Sequence, residues 1–242
     1  MINGSDVGAL KKGNIIKMGK LIVIEGLDGS GKSTQAPILA EALRSMGKEV
    51  REISFPVYGS DSSALVRMYL GGEFGSRPGD VNAYAASSFY AVDRFASYKK
   101  DWKAFYEKED CVLIATRYTS ANEIHQLAKL ERSEWDDFLR WAEDFEYRKM
   151  GIPRPDAVLY LDMRYDIALS LVGGRSEATG QKKDIHELDT DYMARCHEAA
   201  AYASEKLGWK TIVCYRDNAP LPMHEISAEI LKEAKTLLGI SR

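Results

Sequence analysis

Short apolar runs recur along this chain between polar and glycine-containing segments. Leu21–Ile24 and Cys111–Ala115 are continuously apolar, whereas Glu49–Phe55 alternates between apolar and polar residues. Continuous runs of this length are typical of strands buried on both faces of a sheet, and alternation is typical of a half-buried strand. We predict strands over Leu21–Ile24, Glu49–Phe55, Cys111–Ala115, Ala157–Leu161 and Thr211–Tyr215.

The segments between these runs carry apolar residues at helical spacing. Ser33–Met46 has an apolar stripe, and Gly47 follows as a typical helix stop. The same spacing predicts helices over Ser62–Leu70, Val81–Tyr106, Ser133–Lys149 with Ser133 as its cap, Tyr165–Val172, Asp189–Leu207 and His224–Leu238. Strands that alternate with helices imply an α/β fold, with a five-stranded parallel sheet covered by helices on both faces. Ligands bind such sheets at the carboxyl ends of the strands.

Composition narrows the class of protein. Hydrophobic residues make up 45% of the 242 residues and the formal net charge is -3, which favours neither a disordered chain nor a basic nucleic-acid coat. The length suits one domain over residues 18–242, and we expect residues 1–17 to be a polar, disordered extension that contributes little to the fold. The sequence has no run long enough for a membrane span. Its odd number of cysteines, three, is typical of reduced thiols in a cytoplasmic protein.

The first predicted strand leads into the most specific motif of the chain. Residues 26–33 read G-L-D-G-S-G-K-S and fit G-x-x-x-x-G-K-[ST] between a strand and a helix, which is the context of a phosphate-binding P-loop. Backbone N–H groups and the helix dipole attract phosphates, Lys32 reaches the outer phosphates, and Ser33 can hold Mg²⁺. The motif predicts the P-loop NTP hydrolase fold. The predicted nucleotide-phosphate-binding residues are Gly26, Gly29, Ser30, Gly31, Lys32, Ser33 and Thr34.

Four further groups of residues lie at predicted strand ends or on the helices beside them. They are Phe55-Pro56-Val57-Tyr58, Phe89-Tyr90-Ala91-Val92-Asp93-Arg94, Thr116-Arg117-Tyr118, and a polar loop over residues 173–184 with Arg175, Lys182 and Lys183. In order and spacing, these groups and the P-loop resemble thymidylate kinases from about Gly19 to the end of the chain. Among nucleoside monophosphate kinases, an aspartate inside the P-loop, F-P-x-Y after the second strand and an aromatic-x-x-x-Arg helix are characteristic of that family.

The resemblance implies transfer of the γ-phosphate of ATP to dTMP, which forms dTDP. It implies Mg²⁺ as cofactor, ATP bound by the P-loop, a homodimer built on helices beside the acceptor site, and neither nucleic acid nor a membrane as partner. The catalytic residues would be Lys32, Arg175, Arg117 and Asp28. Asp28 would accept a hydrogen bond from the sugar 3′-hydroxyl and help to order Mg²⁺. Arg117 would fork onto the 5′-phosphate of the acceptor, a bidentate task that suits arginine.

The acceptor base and sugar have implied partners as well. Tyr90 and Arg94 lie four residues apart on one helix face. By resemblance, Tyr90 stacks on thymine, while Arg94 approaches its O4 or the donor phosphates. Asn122 would bond the pyrimidine edge, and His125 would lie under the sugar, where family members often carry Tyr or Phe to exclude a 2′-hydroxyl. The implied dTMP-binding residues are Asp28, Phe55, Pro56, Tyr58, Tyr90, Arg94, Arg117, Asn122 and His125.

Thr116 is the main departure from the family pattern. The family normally has Asp at this position, where its carboxylate is thought to position the metal or the attacking phosphate oxygen. Phosphoryl transfer depends more on positioning and charge neutralisation than on a strong base, so activity can survive this change. The nearest carboxylates in sequence that can compensate are Glu25, Asp28 and Asp93.

The resemblance implies that the polar loop over residues 173–184 is a lid that closes over the site. The residue after Asp28 indicates which type of lid to expect. Thymidylate kinases carry a charge-stabilising arginine either directly after the P-loop aspartate or in the lid. This chain has Gly29 after Asp28, so the resemblance implies the bacterial type of thymidylate kinase, with Arg175 in the lid as that arginine. Lys182 and Lys183 would assist, and Asp184 with Glu187 resembles the acidic pair that follows the lid. Two alternatives stay open: a kinase of another nucleotide such as dUMP, and a non-catalytic nucleotide-binding relative that has lost the carboxylate at Thr116.

Overall fold

A five-stranded parallel sheet lies at the centre of the part of the chain that this computed structural model describes, residues 18–171, 185–186 and 189–240. The strands are β1 Lys20–Glu25, β2 Glu49–Ser54, β3 Cys111–Thr116, β4 Ala157–Asp162 and β5 Lys210–Val213. They lie in the order β2-β3-β1-β4-β5, which confirms the predicted fold class. β5 ends before the predicted Tyr215, because Tyr215–Arg216 (β6) pairs antiparallel with Ala219–Pro220 (β7) in a separate hairpin.

β1 occupies the middle of the sheet and is buried from Leu21 to Ile24. Its side chains alternate between two cores: Ile22 and Ile24 pack on one face, and Leu21 and Val23 pack on the other. A strand buried on both faces needs apolar residues at every position. This requirement explains the unbroken apolar run that the sequence shows here.

Helices cover both faces of the sheet, as predicted. The described helices are α1 Lys32–Ser45, α2 Ala64–Leu70, α3 Ala83–Ser97, α4 Lys103–Tyr106, α5 Thr119–His125, α6 Trp135–Glu143, α7 over residues 165–171, α8 Thr190–Leu207 and α9 Met223–Leu238. α1 and α9 share one core with Ile22, whereas α5, α6 and α8 share a core on the opposite face with Tyr160. None of the helices in these described ranges is both long and apolar enough to cross a membrane.

The chain leaves β1 and β3 on opposite faces of the sheet, and this arrangement determines where a ligand-binding crevice can form. The two strands are paired neighbours, with Ile24 beside Thr116. The chain leaves β1 towards α1 on one face and leaves β3 towards α5 on the other. Neighbouring strands whose connections separate in this way open a crevice at their carboxyl ends, which is where open α/β sheets bind ligands.

The predicted helix over Val81–Tyr106 is wrong as a single element. α3 ends at Ser97, a wider π-turn spans Tyr98–Trp102, and α4 follows. Trp102 is completely buried and its ring lies 4.6 Å from that of Tyr98 and 6.1 Å from that of Tyr106. The wider turn changes the helical phase, so that these aromatic rings can enter one core.

The predicted helix over Ser133–Lys149 also divides. A 3₁₀ turn spans Arg132–Glu134, α6 follows, and a π-turn spans Asp144–Met150. Ser133 is not the cap: the carboxylate of Glu134 accepts from the N–H of Glu131 at 3.0 Å. The π-turn has a functional consequence, because it carries the buried Glu146 towards the cleft described next.

Candidate active site

A cleft of about 480 Å³ opens at the carboxyl ends of β1, β2 and β3. The P-loop forms one side, and α3 with the chain from β3 into α5 forms the other. The lining contains these residues that the sequence singled out: Asp28, Gly29, Gly31, Lys32, Ser33, Thr34, Phe55, Pro56, Tyr58, Tyr90, Arg94, Thr116, Arg117, Asn122 and His125. The phosphate loop and the separately predicted acceptor residues therefore face the same space.

The P-loop needs glycine at two of its lining positions. Gly29 has a φ of 83°, and a Cβ there would lie 2.5 Å from the carbonyl oxygen of Ala168. Gly31 has a φ of 92° and caps α1, whose first turn lines the cleft. A left-handed backbone and this close approach both disfavour any side chain. The loop thus turns the amino end of α1 towards the cleft, where the helix dipole favours anions.

Gly26 and Ser30, also predicted to bind phosphate, are not among the residues that line the cleft. The Ser30 hydroxyl is buried within the loop and has no hydrogen-bond partner among the described residues. A Cβ on Gly26 would lie 2.5 Å from that hydroxyl and 2.9 Å from the Leu161 carbonyl oxygen. In this conformation both residues shape the loop from behind.

Lys32 is buried and its ammonium group is held by the loop itself. Nζ donates to the carbonyl oxygens of Gly26 at 2.6 Å and Leu27 at 2.8 Å, and it lies 3.8 Å from Oδ1 of Asp28. Burial, followed by the positive charge of Arg117, lowers the pKa of Lys32 to about 8. An anionic ligand in the cleft would reverse this shift, because it favours the charged ammonium.

Arg117 crosses the cleft to the P-loop. Its Nη2 donates to Oδ1 of Asp28, and its Nη1 lies 3.1 Å from Nε2 of His125. The guanidinium holds the pKa of Asp28 well below its usual range, and the carboxylate in turn raises the pKa of Arg117. Arg117 has a φ of 61°, which is costly for a residue with a side chain and is typical of functional positions. One ion pair thereby joins the segments that follow the neighbouring strands β1 and β3.

Arg94 and Asn122 are fixed from behind by Glu146. Arg94 is completely buried and donates through Nε and Nη2 to both carboxylate oxygens of Glu146, at 2.7 and 2.6 Å. The third contact of its guanidinium is the carbonyl oxygen of Tyr118 at 3.1 Å, and Nδ2 of Asn122 donates to Glu146 at 3.0 Å. Arg94 and Asn122 both line the cleft as predicted. Their side chains are already held by buried hydrogen bonds to Glu146.

The aromatic residues of the predicted acceptor site have different surroundings. Phe55 is buried and packs 5.8 Å from the ring of Tyr118, while Tyr58 is 56% exposed at the cleft mouth. The Phe55–Pro56 peptide bond is cis. Tyr90 lines the cleft on α3, four residues from Arg94, so the two side chains share a helix face as expected.

The loop that contains Tyr58 is held by α2 and α3. Asp93 accepts from the N–H of Val57 at 2.8 Å and from the hydroxyl of Ser62 at 2.6 Å. Arg67 donates to the Tyr58 carbonyl oxygen at 2.8 Å. Asp93 is therefore occupied in positioning this loop and is not in the cleft.

Thr116 lies at the carboxyl end of β3 and lines the cleft, where its hydroxyl makes a long contact of 3.5 Å to the Ile53 carbonyl oxygen. Glu25 is completely buried behind the P-loop, where it accepts from Gly26 N–H at 2.9 Å and from the Ser120 hydroxyl at 2.7 Å. Asp28 is thus the one acidic residue among the described residues that line the cleft.

The predicted lid residues lie outside the part of the chain that the structure describes, and the cleft lining contains residues that the sequence did not predict. Arg175, Lys182, Lys183, Asp184 and Glu187 lie outside the described residues. The cleft lining also includes Ser54, Leu70, Ala121, Gln126, Leu171 and His186. Glu146 had also been missed, although an acid between Phe145 and Tyr147 in a helical stripe was an available signal. His186 offered no signal, because only the fold brings it to α5.

Comparison with known proteins assigns the family. The thymidylate kinase family model matches residues 24–222. This chain belongs to the thymidylate kinase family. The thymidylate kinase of Mycobacterium tuberculosis strain H37Rv is 31% identical over 192 residues, which cover 78% of this chain and 87% of that protein. The thymidylate kinase of Caenorhabditis elegans is 31% identical over 205 residues, which cover 81% and 83%.

The fold agrees with this family. The solved structure of thymidylate kinase from Candida albicans matches 91% of this chain and 94% of its own length, with a TM-score of 0.65 and 18% sequence identity. Similarity at this level of identity supports the fold alone. The predicted resemblance to thymidylate kinases is confirmed by the family model and by the relatives.

We predict that Glu146→Gln destabilises the protein by about 3 kcal/mol, because it leaves the buried Arg94 guanidinium without a counter-charge. Urea unfolding followed by circular dichroism measures this change in the free energy of unfolding. Glu143→Gln is the matched control. Its ion pair with Arg154 lies at the surface, so its loss should cost less than about 1 kcal/mol. Equal losses in the two variants would contradict the importance of the buried network.

Proposed function

We propose that this protein transfers the γ-phosphate of ATP to dTMP and forms dTDP. One observation carries the proposal: the P-loop and the acceptor residues Tyr90, Arg94, Arg117 and Asn122 line one cleft. Thymidylate kinase family membership supports the choice of dTMP as the acceptor. The shared cleft supports direct transfer, because donor and acceptor phosphates can meet there without leaving the site.

The donor side follows from the P-loop geometry. We assign the β- and γ-phosphates to the backbone N–H groups of the loop, the amino end of α1 and Lys32. When phosphates enter, the Lys32 ammonium can exchange two carbonyl contacts within the loop for charged oxygens. Its buried position strengthens that interaction, since little water competes for the charge.

The acceptor side is built around Arg117 and the wall formed by Tyr90, Phe55 and Pro56. We assign the 5′-phosphate of dTMP to the Arg117 guanidinium, which remains cationic. We assign the face of the thymine base to the ring of Tyr90. We assign the edge of the base to Arg94 and Asn122, whose side chains donate to Glu146. Asp28 lies beside Arg117 at the boundary between the two halves of the cleft, and we expect its carboxylate to accept a hydrogen bond from a sugar hydroxyl.

The residues at this boundary also fit Mg²⁺. Ser33 presents an exposed hydroxyl to the cleft and Asp28 an ionised carboxylate, and Mg²⁺ prefers one or two such oxygens together with substrate phosphates. Bound there, Mg²⁺ would neutralise charge on the phosphates. We assign further charge neutralisation in the loose transition state to Arg175, on the family resemblance alone.

We also propose a cytoplasmic homodimer. The three cysteines are free and buried, as expected in a reducing compartment. The outer face of α3 exposes Val92 and Phe95, and Leu65 on neighbouring α2 is also exposed. An apolar face of this kind beside the acceptor site suits a second copy of the chain.

The dimer can be tested in solution. We expect sedimentation velocity to give the mass of a dimer for the wild type and of a monomer for Val92→Glu, because a charge cannot be buried in an apolar interface. Val213→Glu introduces the same charge at an exposed valine on β5 and should remain dimeric. A monomeric wild type would rule out this interface.

The reaction is tested by comparing dTMP, dUMP, dCMP and thymidine as acceptors under identical conditions with Mg²⁺ and ATP. We expect the highest kcat/KM with dTMP and no turnover with Mg²⁺ removed by a chelator. Better use of another acceptor would overturn the assignment to dTMP. Binding of ATP and dTMP without formation of dTDP would instead identify a non-catalytic nucleotide-binding protein.

The pKa of Lys32 predicts proton uptake when ATP binds. With a pKa of about 8 in the free protein, Lys32 is about three-quarters deprotonated at pH 8.5 and about one-quarter deprotonated at pH 7.5. Bound phosphates raise its pKa, so binding should take up correspondingly more protons at pH 8.5 than at pH 7.5. Calorimetric titrations in buffers of different ionisation enthalpy measure the number of protons taken up on ATP binding. Equal uptake at both values of pH would contradict the prediction.

A further inference from the structure

His125 contacts the guanidinium that the proposed function assigns to the acceptor phosphate. It is the last residue of α5 and is buried, with Nε2 3.1 Å from Nη1 of Arg117. On the other edge of the guanidinium, Nη2 donates to Asp28. Within the described part of the chain, each terminal nitrogen of Arg117 therefore has one side-chain partner, a carboxylate for Nη2 and an imidazole for Nη1.

The chemistry of this contact determines the protonation state of His125. A guanidinium only donates hydrogen bonds, so Nε2 must be the acceptor and cannot carry a proton. In neutral imidazole the proton then lies on Nδ1, which faces Sγ of Cys196 at 3.6 Å. Burial of the ring and the charges of Arg117 and His186 hold the pKa of His125 well below its usual value.

The backbone and the ring of His125 each have a contact that does not involve Arg117. The hydroxyl of Tyr192 on α8 donates to the His125 carbonyl oxygen at 2.7 Å. The ring of His186 stacks on that of His125, with centroids 5.8 Å apart and an interplanar angle of 20°. Tyr192 on α8 thus anchors the backbone of His125, and His186 covers its ring, while Nε2 lies towards Arg117.

We infer that His125 is a positioning residue that orients Arg117 towards the phosphate of the acceptor without reducing its charge. This inference rests on the proposed function. A second carboxylate in place of His125 would orient the guanidinium equally well, but it would cancel the positive charge that attracts the phosphate. A neutral imidazole supplies the acceptor atom and leaves that charge intact. Among the described residues, no hydrogen-bond partner takes the remaining side-chain N–H groups of Arg117, including Nε–H, so these groups can donate to phosphate oxygens.

The kinetic test uses two amides that differ by one methylene group. Gln carries its amide at about the distance of Nε2 from the backbone, whereas the amide of Asn reaches only about as far as Nδ1. We expect His125→Asn to raise the KM and the Kd for dTMP about 10-fold, as for the loss of one hydrogen bond to a charged group. We expect His125→Gln to stay within about 3-fold of the wild type, and the KM for ATP to be unchanged in both variants.

Controls separate this role from a general effect on folding. His197→Asn makes the same change at a half-buried histidine, whose ring packs against Tyr165 away from Arg117, and it should leave the KM for dTMP unchanged. Thermal unfolding followed by circular dichroism reports the stability of all variants. Equal values of KM for dTMP in His125→Asn, His125→Gln and the wild type would overturn the inference. A rise in KM in His125→Gln as large as that in His125→Asn would also overturn it.

A spectroscopic test does not depend on turnover. We expect the ¹⁵N spectrum of the wild type, assigned by comparison with His125→Gln, to show His125 protonated on Nδ1 and unprotonated on Nε2 from pH 6 to 8. A charged imidazolium, or a proton on Nε2, would overturn the inference even if dTMP is the substrate. If the wild type makes no dTDP, the proposed reaction fails, and the spectrum still decides whether Nε2 accepts from Arg117.

Discussion

The ion pair between Asp28 and Arg117 connects the two halves of the cleft. Asp28 belongs to the loop after β1, and Arg117 follows β3. The pair forms because β1 and β3 are neighbours in the sheet, which brings Ile24 beside Thr116. The phosphate loop and Arg117 are thereby held at a fixed separation by the sheet, which suits the direct phosphoryl transfer that we propose.

A second buried network supports this arrangement. Glu146 neutralises Arg94 and accepts from Asn122, so two groups that line the cleft are oriented before any ligand enters. Burying such a pair is unfavourable unless nearly all of its hydrogen bonds are made, and Arg94 has three such contacts. The main effect of this network is to fix the positions of the Arg94 and Asn122 side chains, and its net contribution to the free energy of unfolding is the smaller effect.

Thr116 changes the charge balance of the site. In the described part of the cleft, Lys32 and Arg117 face the single carboxylate of Asp28, since Glu25 and Asp93 are occupied elsewhere. Their combined charge therefore stays positive, which favours anionic nucleotides. The neutral His125 fits this balance, because it holds Arg117 without adding a further negative charge. Oδ1 of Asp28 lies 3.8 Å from Nζ of Lys32.

Much of this architecture could be read from local patterns. The apolar run of β1 requires burial on both faces, and the four-residue gap between Gly26 and the pair Gly31-Lys32 identifies a phosphate loop. The four-residue spacing of Tyr90 and Arg94 places them on one helix face. The helix interruptions after Ser97 and Glu143 could not be read in this way. They arise because Trp102 and Glu146 reach partners in other elements, and these contacts change the helical phase.

The sequence by itself determined the succession of strands and helices along the chain and the phosphate loop, because each depends on short-range spacing, and the resemblance to thymidylate kinases implied most of the residues that line the cleft. Only the tertiary structure decided which carboxylates enter the site. It also decided that Glu146 fixes Arg94 and that His125 holds Arg117. Those assignments depend on distances between residues far apart in the chain, and only the packing of helices against the sheet sets those distances.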